Sequence, residues 1–548
     1  MKLTFISVST PRPWVDSTLA VPTGRHVVHL PYDRPTMRSL FLTPKFLLLL
    51  FSLPEFSSAA SSILGIDLGQ EYFKAALVKP GIPLEIVLTK DSRRKESSAI
   101  AFKPSRLAVS SDGYGYPDRI YGADAANLAA RLPAEVYPNL KQLLGKKFFD
   151  QSISEYSVRY PALELMQSDG RPTTSFKSSS SPPPGERGVQ NFSVEELLAM
   201  QLNNVQRNAL ALAVERGKSG VIDDVVFAIP AYFTAEEKYS LQLATKMAGL
   251  KTMAILSDGV AVSINYATGR EFKPEDQPET HVIYDMGAGS TTATVVRFAG
   301  KTVKDLGRYK KDVTEVSVLG VGWDRELGGD LFNKKIMDRL LNDFFETPKA
   351  KKIAEEDANF KDKVRSNGRT VAKLWREATK VRHVLSANSE AYASMESLYD
   401  DMDYRSSKIT RVQFEESLQE FADRVTKPLY QAIESAGLTL EGIDSVIFHG
   451  GGLRVPWVSK LLEGVVGENK ISRTVNSDEA AVMGATFRGA ALSNSFRVKE
   501  IVVKDVNVYA VGVTYQKDGS EKGILNHFNL KSVIYTVQLI PLQQRSTR

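Results

Sequence analysis

Short apolar runs alternate with longer stretches of helical period from Ile63 to about Ser493, which predicts an α/β architecture. Strand-like runs open at Ile63 and continue at Tyr72–Val78, Ile86–Leu88 and Ser98–Phe102. Later ones lie at Val225–Pro230, Met253–Leu256, Val282–Met286, Ala293–Val296 and Ser445–His449. Between them, the pattern predicts helices at Asp124–Arg131, Tyr137–Gly145, Ser193–Arg216, Thr234–Ala248 and Asp258–Tyr266. Further helices are expected at Thr410–Ala436 and Asp478–Leu492, with a highly charged helical subdomain between Glu346 and Arg382. Ser193 precedes Glu196 in the order of a capping box. Ser168–Arg187 is nearly free of apolar residues and clusters Ser and Pro, so 168–190 reads as a disordered insertion. Beyond Ser493, Phe496–Ile501 and Val506–Tyr515 read as a linker and the start of a separate β domain, incomplete over 494–548.

Composition narrows the field. The 548 residues are 43% hydrophobic and 24% charged, enough for a large core and several domains. Cysteine is absent, which excludes disulfides, thiolate nucleophiles and cysteine metal sites. The formal charge is +6, but basic and acidic residues alternate and no basic run carries interleaved aromatics, so nucleic-acid binding is not expected. Met37-Arg38 leads into an apolar core at Phe46–Leu53 and small residues at Ser57–Ser61, so 37–60 reads as a secretory signal peptide, too short for a membrane span. Residues 1–36 are an unexplained extension, and Met37 is the expected start. Asn191-Phe192-Ser193 is a glycosylation sequon, whether used or left as a bare surface asparagine.

The candidate chemistry sits in three glycine clusters. Ile63–Gln70 (ILGIDLGQ) and Val282–Thr292 (VIYDMGAGSTT) each place an aspartate at a strand end before a glycine turn. Such turns let bare amides cradle phosphate oxygens, and Asp67 and Asp285 can hold Mg²⁺ through water. A single turn of this kind is an ordinary hairpin corner. Two of them predict two similar lobes closing on one nucleotide. The third cluster, His449–Pro456, follows a strand, and its Gly450, Gly451 and Gly452 would admit a purine and ribose, with Arg454 against the base.

Together GIDLGQEY, VIYDMGAGSTT, AYFTAEEKYSLQLATKMAGL, ILSDGVAVSINYA, GGDLFNKKIMD, HGGGLRVPWV and NSDEAAVMGAT resemble the ATPase domain of the seventy-kilodalton heat-shock family. The resemblance covers about 63–493, which sets the nucleotide-binding domain at 61–493. LSDGVAVSINYA and RHVLSANSEAYASMESL are similar to the large lumenal relatives. The resemblance implies an actin-like pair of lobes (ribonuclease H-like duplicated domains) around an ATP/ADP cleft with Mg²⁺. It implies that Asp67 and Asp285 organise the cation and that Gly69, Gly287, Ala288 and Gly289 wrap the phosphates. Ser290 would face the γ-phosphate, and Lys141 would position the attacking water. Read without the family, Lys141 is an exposed helix lysine. Asp258 stands where the family has a communicating glutamate. Arg382 and Ser386 fall on the adenosine-side helix, though as bare sequence they are a solvated face, and Gly451, Arg454 and Asp478 complete the nucleoside site. Gln70 replaces the usual threonine, Glu71 brings a negative charge toward the phosphates, and Thr292 replaces an acid. Binding is therefore expected to survive better than turnover. The resemblance implies an endoplasmic reticulum chaperone with weak ATPase activity and nucleotide exchange toward an ordinary lumenal heat-shock partner, with client binding only if the substrate domain is complete. The alternatives are a sugar kinase of the same fold, for which no acidic base stands out, and an actin-like filament protein.

Overall fold

The computed structural model describes residues 3–7, 62–103, 118–177, 191–218, 220–305, 309–509, 511–517 and 520–524. The predicted signal peptide at 37–60 and the insertion from 178 to 190 lie outside the described residues.

Two sheets share one strand order. The first runs Lys251–Ser257, Asp224–Ile229, Ile63–Leu68, Tyr72–Lys79, Ile82–Ile86. The second runs Ile471–Ser472, Ser445–His449, Glu279–Met286, Thr291–Lys304, Lys310–Asp324, Ile501–Lys504. In both, the strand that carries the cleft aspartate pairs in parallel on one side and forms an antiparallel hairpin on the other. The expected duplication is thus present in the topology, with an actin-like lobe built on each sheet.

Each lobe buries its own core. Leu64, Ile66, Phe227 and the helix Val194–Glu215 fill the first, and Tyr284, Phe332 and Leu429 fill the second. A third apolar cluster joins the lobes, formed by the helices Asp258–Thr268 and Ala480–Leu492 against Ile63, Val226, Ile283 and Val296. These helices cross closely because position 484 is glycine: a Cβ there would lie 1.8 Å from the Ala261 carbonyl oxygen. The tight crossing places Asp258, at the start of one helix, between the two sheets. Arg159 reaches across the cleft to Asp330 at 2.7 Å, its guanidinium 3.7 Å above the Trp375 ring.

Several sequence expectations are corrected. Tyr137–Gly145 is not a helix: Val136–Pro138 pairs with Ala99–Ala101, Asn139 takes a left-handed φ of 54°, and Leu140–Leu143 makes one 3-10 turn. Within the supposed insertion, Thr174–Lys177 is a strand between Leu165–Gln167 and Asn191–Ser193, with Phe176 fully buried. Thr410–Ala436 divides into helices Arg411–Ser417 and Ala422–Ser435 around a 3-10 turn. The charged region beyond Glu346 folds as Pro348–Glu356, Phe360–Ser366 and Gly368–Ala387. Ile501–Lys504, within the expected linker, lies parallel to Thr314–Ser317 as the edge strand of the second sheet. The hairpin Val511–Lys517 with Ser520–Ile524 follows, and its partner strand is Leu3–Ser7, from the opposite end of the chain.

Candidate nucleotide cleft

All three glycine clusters line one cavity of about 340 Å³ between the lobes. Asp67, Gly69, Gln70 and Glu71 enter from the first hairpin, and Asp285, Gly287, Ala288, Gly289 and Ser290 from the second. Gly450, Gly451, Gly452, Arg454 and Asp478 close one side, with Arg382 and Ser386 on the helix Gly368–Ala387, and Lys141 and Asp258 at the back. Every cleft residue expected from sequence is therefore brought to this cavity. Asn191 stands apart on an edge strand, and the Ser193 hydroxyl is taken up in the helix cap.

The second glycine turn is held from below. Gly287 N–H donates to the Ser290 carbonyl at 3.0 Å, closing a tight corner. The amides of Gly329 and Asp330 donate to the carbonyls of Gly287 and Ala288 at 3.1 and 2.8 Å. This docks the N-terminus of the helix Gly329–Phe345 under the loop, where its dipole favours an anion. Gly450, with φ of 91°, needs its missing side chain, since a Cβ would lie 2.3 Å from the Met286 carbonyl and 2.4 Å from Asp285 Oδ1.

The carboxylates are not bare. Antiparallel register sets Lys74 directly opposite Asp67, and the ammonium stands 2.7 Å from Asp67 Oδ2. Burial alone would lower Lys74, but contact with Asp67 outweighs it and holds the ammonium above the ordinary lysine range. Parallel register sets His449 beside Asp285, with Nδ1 2.9 Å from Oδ2. Burial pulls the imidazole down, and Asp285 more than restores it, while Asp285, which burial would raise, is brought below its usual range chiefly by His449. Asp258 accepts hydrogen bonds from Gly259 N–H at 2.7 Å and from Thr292 Oγ1 at 3.2 Å. Thr292, which stands where an acid was expected, therefore anchors Asp258. Burial, then the Asp285 charge, pushes Asp258 up to about 7. Lys141 is no exposed helix lysine; burial lowers it below the usual range although Asp67, Asp258 and Asp285 pull the other way.

Glu71 does not project a free negative charge at the phosphates. Burial raises it, and Arg382 lies 3.8 Å away. Arg382 itself is 4% exposed, not a solvated face, and donates to Asn333 at 2.7 Å. Its neighbour His383 shares the cavity wall with Ser386 and Arg454, and burial followed by the Arg382 charge pushes it down to about 4, so it is neutral. Arg454 pairs with Asp478 at 2.6 Å.

Glycine turns, a helix N-terminus and lysines suit a nucleotide's phosphates. The aspartates expected to hold Mg²⁺ each have one oxygen, Oδ2, against a basic side chain, Lys74 at Asp67 and His449 at Asp285. Among the described residues no group of three His, Cys, Asp or Glu could hold a metal. No described helix is long and apolar enough to cross a membrane. Sequence reasoning gave no role to Lys74, His449, His383 or the Gly328–Asp330 support, although His449 and Gly328–Asp330 lie in its quoted motifs. Lys74 was within reach there, since counting across the first hairpin pairs it with Asp67.

The family model described as Hsp70 protein matches residues 63–530. The chain is 37% identical over 465 residues to the heat shock protein 70 homolog lhs1 of Schizosaccharomyces pombe, covering 84% of this chain and 50% of that protein. It is 35% identical over 485 residues to the hypoxia up-regulated protein 1 of Homo sapiens, covering 88% and 45%. With the Xenopus laevis protein of the same name, identity is 34% over 496 residues, covering 90% and 71%. The chain thus spans about half the length of the fission yeast and human relatives.

Proposed function

Because the chain belongs to the heat-shock protein 70 family, we propose that its cleft binds ATP and ADP and that it serves as a co-chaperone in the endoplasmic reticulum lumen. Its task there is nucleotide exchange on an ordinary lumenal heat-shock chaperone, with weak hydrolysis of its own. The observation that carries the nucleotide reading is the convergence of three glycine loops, from two sheets of matching order, on one cavity that also holds Lys141. In this reading the loops of Gly69 and Gly287–Ser290 hold the phosphates, while Gly450–Gly452, Arg454, Ser386 and Asp478 hold the nucleoside. Lys141 orients the water. Weak turnover follows from the surroundings of that water. Gln70 stands in place of a hydroxyl beside the second loop, with its Cγ 2.9 Å from where a Gly289 Cβ would be. Thr292 supplies no carboxylate, and Asp258 is spent on Gly259 and Thr292. Positioning is the main source of rate in phosphoryl transfer, so loss of positioned charge slows hydrolysis more than it weakens binding.

The lumenal location rests on the sequence of 37–60 and on similarity to the large relatives, and Asn191 is the candidate glycan site. Clients would be held only by a complete substrate domain. The sugar-kinase alternative is set aside, since the family match covers the whole cleft.

The test is the release of fluorescent ADP from a purified lumenal heat-shock chaperone. Addition of this chain should accelerate release by roughly tenfold, within the usual range of coupling between sites. An unchanged release rate over a full concentration series would overturn the exchange role.

A further inference from the structure

The nucleotide cleft carries its own cation. Asp67 and Lys74 face each other in the register of a single hairpin, 2.7 Å apart, each side chain 15% exposed at the cleft floor. Lys74 also lines the same cavity as Asp285 and Asp478. His449, 3% exposed, stands beside Asp285 from the neighbouring strand, Nδ1 2.9 Å from Oδ2. The cavity lining as a whole carries five lysines and arginines against five aspartates and glutamates. It therefore presents no net negative wall calling for a divalent ion before a nucleotide can enter.

A hydrated Mg²⁺ needs carboxylate lone pairs turned toward its waters. Here Oδ2 of Asp67 faces the Lys74 ammonium and Oδ2 of Asp285 faces the His449 ring, both fixed by strand pairing. A lysine ammonium is a compact point charge well suited to phosphate oxygens. We propose that Lys74 takes the place of the divalent cation against Asp67, so that this cleft binds the phosphates of ADP and ATP directly and almost independently of Mg²⁺. This inference rests on the nucleotide-site reading above.

The experiment is calorimetric titration of the full chain with ADP and with ATP, once in Mg²⁺ and once in EDTA. The expected result is that affinities in the two buffers agree within about threefold. Lys74→Ser should weaken binding in EDTA by tenfold or more, with Mg²⁺ restoring much of it. Lys74→Arg, which keeps the charge, should retain the insensitivity to Mg²⁺. If Lys74→Ser fails to fold, as judged by circular dichroism, the wild-type comparison alone decides. Tightening of wild-type binding by Mg²⁺ of tenfold or more would overturn the proposal while leaving the nucleotide site intact. No binding in either buffer would instead remove the nucleotide-site reading.

Discussion

Asp67→Asn is expected to cost about 3 kcal/mol of folding stability, because it removes the partner of an ammonium enclosed by the protein. Lys74 is stabilised chiefly by that one contact against the pull of burial. Its other electrostatic partners, Asp285 and Asp478, cannot replace a 2.7 Å pair, and Asp285 is already engaged with His449. The side chains are partly open to the cleft, which keeps the expected cost at the low end for a broken buried pair. Chemical denaturation of the variant and the wild type measures it. Nucleotide phosphates can replace the lost carboxylate beside Lys74, so ADP should recover part of the deficit by binding the folded state. A variant as stable as wild type would mean that the ion pair contributes little.

The second large effect is a pH dependence set by Asp258. Burial, then the neighbouring Asp285, raises its folded-state value from that of an ordinary aspartate to about 7. The folded chain thus holds the Asp258 proton more tightly than the unfolded chain does. Its contribution to stability is full below the ordinary aspartate value and is lost as pH rises through the window from about 4 to about 7. Asp258→Asn removes the charge while keeping an acceptor for Gly259 N–H. The variant should gain on the order of 2 kcal/mol over wild type at pH 8 and almost nothing near pH 4. Thermal unfolding across that range gives the difference directly. A gap that does not vary with pH would show that Asp258 is not the titrating group.

Much of the fold was legible from local pattern. The capping boxes at Ser193 and Thr234 start their helices where the sequence placed them, and each glycine turn follows its predicted strand. Where prediction failed, partners far along the chain decided some outcomes and local averages hid others. Val136 and Tyr137 have helical neighbours in sequence, but they complete the sheet beside Ala101 and Ile100, and Asn139 cannot continue a helix from its left-handed conformation. Phe414, Leu418, Phe421 and Val425 keep helical spacing across the 3-10 turn, so periodicity could not detect the break. Phe176 lay hidden in a polar stretch because one buried aromatic does not alter its average character. The pairing of Ile501–Lys504 within the expected linker was not legible, since the edge it joins was invisible without the sheet.

The cleft was legible through its glycines and aspartates, which carry their own signature. Of its basic residues, Lys141, Arg382 and Arg454 were named, and Lys74 and His449 were given no role. Lys74 and His449 owe their positions to strand register rather than to any motif, and the family resemblance, not spacing, pointed to Arg382 at the cavity wall that its neighbour His383 shares. The two aspartates were read without their cross-strand neighbours, Lys74 beside Asp67 and His449 beside Asp285.

The central claim is that paired glycine turns grip one nucleotide, and titration of the full chain with ADP, beside Gly450→Val, tests it most directly. A side chain at Gly450 would collide with the Met286 carbonyl and push the loop into the cavity. The account predicts one saturable site per chain in the wild type and none in the variant. Absence of saturable binding in the wild type, or equal binding by both proteins, would contradict it.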